Sequence, residues 1–225
     1  MTRSLRQLLL LTAKDLRIEA RSRQTIGLVV ILGLLIVVVL GLGLGAQENV
    51  PPFTATAALW VAYLFAGVLC FEKTMAIERT DGAMAALLLA PVDRGIIYLA
   101  KLLSNLTLMA AVALVVTPAG VLFFNFDLSA APGAFILIVA ISMLGFAAVG
   151  TLFAAVVSSS RLKGGLLALM VFPVSLPLVI VSTRLLTGIF RDAQGIDVST
   201  LGILVAFDVI FLATSWIVFE WVLEA

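Results

Sequence analysis

Six stretches of this chain are long and apolar enough to cross a lipid bilayer, and that pattern fixes almost everything else about it. A span needs about 20 predominantly apolar residues. Residues 25–46, 54–71, 97–124, 131–158, 164–186 and 200–222 meet the requirement. Hydrophobic residues make up 63% of the chain and charged residues 12%, against roughly 25% charged in a soluble domain. In lipid each stretch must be a helix, because backbone groups there find no water to bond. The third and fourth stretches are long enough to tilt or to project from the bilayer. The first is too long for the core of a signal peptide and has no clear cleavage site after it, so it reads as a retained span. The predicted fold class is therefore an all-α integral membrane protein of six transmembrane helices, one transmembrane domain over 1–225, with an amphipathic helix over 3–23 ahead of the spans.

The basic residues orient it. Six crossings put both termini on one side. That side carries Arg3, Arg6, Lys14, Arg17, Arg21, Arg23, Lys73, Arg79, Arg94, Lys101, Arg161 and Lys163, which is 12 of the 14 lysines and arginines. Only Arg184 and Arg191 fall on the other. Both termini are expected in the cytoplasm. The net charge of +1 hides this asymmetry and points to no nucleic acid.

Between the spans, the polar residues are concentrated in one segment, 72–95, which joins the second and third. Thr80 or Asp81 can cap a short helix over 82–89 that Pro91 stops. Met84, Leu87 and Leu88 then share a face, and Asp93 is placed to cap the next span. A short apolar-faced helix slung between two spans suits docking of a soluble ATPase. Ahead of the spans, Leu5, Leu9, Ala13, Leu16 and Ala20 recur at helical spacing, with Arg3, Gln7, Lys14, Arg17 and Arg21 largely opposite. That helix is suited to lie in the interface with its cations near lipid phosphates, as an anchor or as an elbow packed near the ATPase.

Inside the membrane, Gly41 and Gly45 form a small-xxx-small pair, and Gly145 with Ala148 another close-packing surface. The Gly41–Gly45 run precedes no Lys-Ser/Thr, so it is no phosphate loop. Pro118, Pro173 and Pro177 each remove a backbone donor, and the fifth span, with two of them, is the one expected to bend. Lys101 is placed to snorkel. Trp60, Trp216 and Trp221 read as interfacial anchors. Asp208 is costly in lipid, which makes it a candidate functional carboxylate; the alternative is a structural partner, Arg184 or an interhelical hydroxyl. The outer segment 183–199 mixes Arg184, Arg191, Asp192 and Asp197 with apolar residues, as a short re-entrant or interfacial helix pair would. There is no histidine and one cysteine, Cys70, so neither an internal disulfide nor a multi-thiolate metal site forms. No Walker A pattern occurs. No catalytic residue, metal site or directly bound cofactor is expected; the chain reads as a mechanical part, not an enzyme.

The string Glu78-Arg79-x-x-Gly82-Ala83 … Leu87-Leu88-Leu89-Ala90-Pro91-Val92-Asp93-Arg94 … Ile97-Tyr98-Leu99-x-Lys101, with Lys14-Asp15-Leu16-Arg17-Ile18-Glu19-x-Arg21-Ser22-Arg23, resembles the cytochrome c maturation B subunits, the CcmB family or haem exporter protein B. The resemblance implies a type-2 ABC permease-like fold in a bacterial inner membrane. It implies an ATPase partner, CcmA, which brings the ATP, membrane partners CcmC and CcmD, and release of the haem-loaded periplasmic chaperone CcmE. Six spans resemble half of an ABC membrane core, so two such halves are expected to pair. The ATPase-coupling residues are then Glu78, Arg79, Asp81, Gly82, Met84, Leu87, Leu88, Pro91, Asp93 and Arg94. Without histidine the chain lacks the usual axial imidazole for haem; Met or Tyr can ligate in principle, but its six methionines and two tyrosines sit mostly at helical positions suited to packing, so ligation is expected of a partner. A type-2 permease exporting a glycan, lipid or drug would share the architecture without the Leu-Ala-Pro-Val-Asp-Arg string. A non-transporting scaffold would have no ATPase partner.

Overall fold

The structure, a computed structural model, describes residues 3–22, 24–44, 50–80, 92–125, 127–159, 165–192 and 195–222. Among them are seven α-helices and no strand: α1 Arg3–Ser22, α2 Gln24–Leu44, α3 Pro52–Thr80, α4 Arg94–Phe124, α5 Pro132–Ser159, α6 Leu166–Asp192 and α7 Val198–Val222. A 3-10 turn, Leu128–Ala130, leads into α5. The helices α2 to α7 are each long and apolar enough to span a bilayer, so the chain is a multi-pass helical membrane protein.

Two helices overran their expected limits. α3 continues past Phe71 to Thr80, so the first part of the charged segment extends the span as helix. α6 runs unbroken to Asp192, which overturns the expected re-entrant or interfacial pair over 183–199. Leu185, Leu186 and Ile189 lie on the buried face of that extension, while Arg184 and Arg191 are exposed. The mixture read as a broken element is the outer side of one continuous helix. α6 also continues through Pro173 and Pro177, and α4 through Pro118.

Helix ends are set by local bonds. Asp93 has extended backbone and accepts from the Gly95 amide at 2.7 Å, capping α4 as expected. α4 closes at Asn125, whose left-handed backbone (φ 48°) lets its N–H reach the Val121 carbonyl, a conformation asparagine tolerates. Asp127 accepts from the Ser129 hydroxyl and amide, and these bonds hold its carboxyl below the usual range. Asp197 caps α7 in the same way, held down by Thr200 and then Ser199.

α3 and α5 form the centre. Each touches the other and three further helices: α2, α4 and α6 around α3; α4, α6 and α7 around α5. Their apolar stretches are 61% and 72% buried, against 22% in α2 and 17% in α7, which lie at the two flanks. Burial in lipid gives no hydrophobic drive between helices, so packing shape decides which pairs approach. α3 offers Gly67 and Phe71; α5 offers Phe146 and Gly150. A Cβ at Gly67 would lie 2.4 Å from the Phe146 ring and one at Gly150 2.0 Å from the Phe71 ring. Each ring sits in the other helix's glycine notch, and the two rings pack at 5.3 Å. On the flank, Gly41 of α2 admits Phe123 of α4; Gly45 lies outside the described residues.

The spans alternate in direction. Thr74 near the end of α3 bonds Asn105 near the start of α4, and Asn105 bonds Thr151 near the end of α5. At the other end of the bundle Trp60 of α3 reaches Ser182 of α6.

Candidate functional site

Polar chemistry gathers at the end of the bundle where α1 lies. α1 rests mainly on α4; Leu11 and Leu16 pack against the core, but most of the leucine stripe does not. Leu5, Leu9, Leu10 and Ile18 are exposed. Thr12, Asp15 and Glu19, one helical turn apart, face the bundle instead. Lys101 of α4 donates to Asp15 Oδ2 at 2.7 Å, Ser104 reaches the same oxygen at 3.5 Å, and Lys14 Nζ lies 3.2 Å from Oδ1. Glu19 is 4% exposed and accepts from the Ile26 amide at 2.8 Å. That amide is among the unpaired donors of the first turn of α2, where an anion is favoured. Thr74, Ser104 and Asn105 join Asp15, Glu19 and Lys101 around a cavity of about 30 Å³, the size of one water.

This cluster corrects two expectations. The interfacial helix does present leucines outward, but it is fastened to the spans through acids. Lys101 does not snorkel: it is 4% exposed, because α1 covers it and brings a carboxylate to it. Sequence reasoning missed Asp15, Glu19 and Asn105. The signal was an acidic pair at i, i+4 lying across α1 from its arginines, with a lone lysine two turns into a span.

Of the residues assigned to ATPase coupling, Glu78 and Arg79 fall in the last turn of α3, and Asp93 and Arg94 begin α4. Asp81, Gly82, Met84, Leu87, Leu88 and Pro91, with the expected short helix over 82–89, lie outside the described residues. The residues on either side therefore end one central span and start its neighbour.

Asp208 lies well away from this cluster, on α7 where it crosses α5 and α6. It is 4% exposed, and its Oδ1 has no hydrogen-bond partner. A Cβ at Gly145 would stand 2.1 Å from that oxygen, so the glycine is what lets the carboxyl in. Arg184 is exposed and makes no ion pair with it, and no hydroxyl bonds it, so neither expected partner is there. Gly145 and Ala148 do form a close-packing surface: the Ala148 carbonyl accepts from Tyr98 at 3.3 Å and Ser215 at 3.4 Å.

Trp60 is no anchor. It is 1% exposed, its indole N–H donates to Ser182 Oγ at 3.1 Å, and its ring meets Tyr63 edge-on at 5.6 Å. A span-internal hydroxyl satisfies the N–H that would otherwise seek the interface. Trp216 and Trp221 are exposed. A largely apolar groove of about 760 Å³ runs between α4 and α5, past Leu114, Pro118 and Ile136. Among the described residues no group of three potential metal ligands occurs, and Cys70 is buried.

The chain is 25% identical over 191 residues to heme exporter protein B of Rhodobacter capsulatus, an overlap covering 84% of each chain. The family model for CcmB protein matches residues 6–221, which takes in α1, all six spans and the polar cluster between them. On that match, which spans nearly the whole sequence, the chain belongs to the CcmB protein family.

Proposed function

We propose that this chain is the membrane subunit of an ATP-driven haem-export complex serving c-type cytochrome assembly in a bacterial inner membrane. The observation that carries this is the family match over residues 6–221, with a relative named as a heme exporter protein B. In this reading a separate CcmA-like ATPase docks on segment 72–95, CcmC-like and CcmD-like membrane subunits complete the assembly, and two membrane halves pair. The partition of basic residues supports cytoplasmic termini and puts the docking segment on the ATPase's side.

The helices on either side of that segment suggest how force is passed on. α4 is a 31-residue rod, about 46 Å long at 1.5 Å per residue. Its start is pinned by the Asp93 cap. Its second turn is tied to α1 by Lys101 and Asp15, and its third to α3 and α5 through Asn105. A push at segment 72–95 acts on α3 and α4 together. It either carries α1 and α5 with them or breaks these bonds. In this reading haem is ligated by a partner, since this chain has no histidine and its tyrosines and cysteine are packed in the core; the work assigned here is release of the haem-loaded, CcmE-like periplasmic chaperone.

Deleting the chain tests this. c-type cytochromes should disappear while the chaperone still acquires haem and accumulates loaded on its membrane partners. An empty chaperone would instead give this subunit the haem-translocation step. Normal c-type cytochromes would refute the assignment and favour export of another solute.

A further inference from the structure

Asp208 sits ten residues into α7, about 15 Å from its outset by helical rise. Three helices enclose it, and nothing ionisable answers it from any of them. α5 carries no ionisable residue. Those of α6 are Arg184, Arg191 and Asp192, the nearest six residues beyond Leu178, about 9 Å along the axis, with Arg184 turned outward. α7 itself has only Glu220 besides, twelve residues on. α4, which also packs on α7, brings Arg94, Tyr98 and Lys101 at the far end, where Tyr98 meets Phe219 at 5.2 Å and Lys101 holds Asp15. A Cβ built on Gly145 would stand against both the carboxyl and, at 2.8 Å, the Leu178 methyl, so the Gly145 backbone and Leu178 lie beside it. Ser142 gives its hydroxyl to the Ile138 carbonyl, and Ser175 Oγ is itself without a partner. A fixed, unpaired carboxylate in such a place is costly, and with no cation in reach only a proton can neutralise it.

We propose that Asp208 is a proton-binding site whose bound proton lets α7 pack against α5. The carboxyl keeps its proton while Gly145 and Leu178 close over it. When the helices part, water enters, the O–H bond breaks, the electron pair stays on the carboxylate oxygen and the proton leaves as hydronium. By mass action the parted form gains on the packed form as pH rises, by about tenfold per pH unit while one proton is linked. The inference holds whether or not an ATPase drives the parting.

The full chain in lipid nanodiscs, with isotope-labelled aspartate, provides the test. At neutral pH the infrared spectrum should contain a carboxylic-acid C=O band that Asp208→Asn removes. A second readout uses Ser142→Cys, one turn from Gly145, in a Cys70→Ala background. Its reaction with a membrane-permeant maleimide, divided by the rate in the same chain carrying Asp208→Asn, should climb as pH rises. Only carboxylate bands for Asp208 at neutral pH would overturn the proposal, and so would a labelling ratio that does not change with pH.

Discussion

Two carboxylates set into helix contacts divide this molecule. Asp15, its side chain 13% exposed, is met by Lys101 at 2.7 Å, by Lys14 and by the Ser104 hydroxyl. Asp208 is buried, and a glycine and a leucine methyl stand beside it instead of partners. The difference follows from what each carboxylate holds together. Asp15 ties an amphipathic helix to a span, and directional bonds are what position such a helix where lipid offers no hydrophobic drive between packed helices. Asp208 sits where three spans already pack by shape, so it contributes no bond, and the glycine notch that admits it keeps it dry. The first region is arranged to stay closed and the second to be sensitive to opening.

Breaking the paired site should have the largest effect. Lys101→Met leaves Asp15 with Lys14, whose side chain is 37% exposed, and the Ser104 hydroxyl at 3.5 Å. Removing one partner of a buried pair costs about 3–5 kcal/mol, and the remaining lysine puts the expectation near the lower figure. Unfolding measured in detergent, or by steric trapping in bilayers, checks it. The double variant Asp15→Asn/Lys101→Met should recover most of the loss. A cost under about 1 kcal/mol would rank the pair with exposed ion pairs and remove the contrast with Asp208.

A neutral polar contact between spans should fall in between. Ser182→Ala deprives the Trp60 indole of its acceptor. Hydrogen bonds between membrane helices average about 0.6 kcal/mol and reach about 1.7, so a loss of about 1 kcal/mol is expected by the same unfolding measurement. The smallest loss belongs to the unpaired site. Asp208→Asn keeps the shape of the neutral acid and breaks no bond, so its stability should match the parent's at about pH 4 and exceed it as pH rises to neutral, where only the parent gains by releasing a proton on opening. A loss as large as that of Lys101→Met would mean that Asp208 holds the bundle together after all.

The spans were legible because lipid allows a single solution for a long apolar stretch, and α2, α4, α5 and α7 fall within a few residues of their expected limits. The misreadings share one cause. Charges on a helix were taken as the end of that helix at Phe71 and at Leu186, yet a charged residue breaks nothing when it lies on the outer face, as Arg184 and Arg191 do. On α1, Leu5 and Leu9 face outward as an interfacial helix requires, while Asp15 and Glu19, which the apolar pattern passes over, take the inward side beside Leu11 and Leu16. Trp60 and Lys101 each resemble interfacial residues by type; the partner that satisfies each lies 122 and 86 residues away in sequence, beyond any local pattern. Asp208 could be singled out by its cost in lipid, and only the fold shows that nothing pairs with it.

The most direct test of the account is affinity purification of this chain from its own membranes in mild detergent, followed by identification of the bound subunits and assay of their ATP hydrolysis. An ATPase should co-purify and turn over. Met84→Asp or Leu87→Asp should release it while all six spans stay inserted, because a carboxylate buried in that contact costs several kcal/mol. Binding by a soluble cytoplasmic ATPase would also fix the side on which segment 72–95 lies. Purification with no ATPase, or with one whose binding and turnover neither substitution changes, would contradict the assignment of this chain as the membrane half of an ATP-driven exporter.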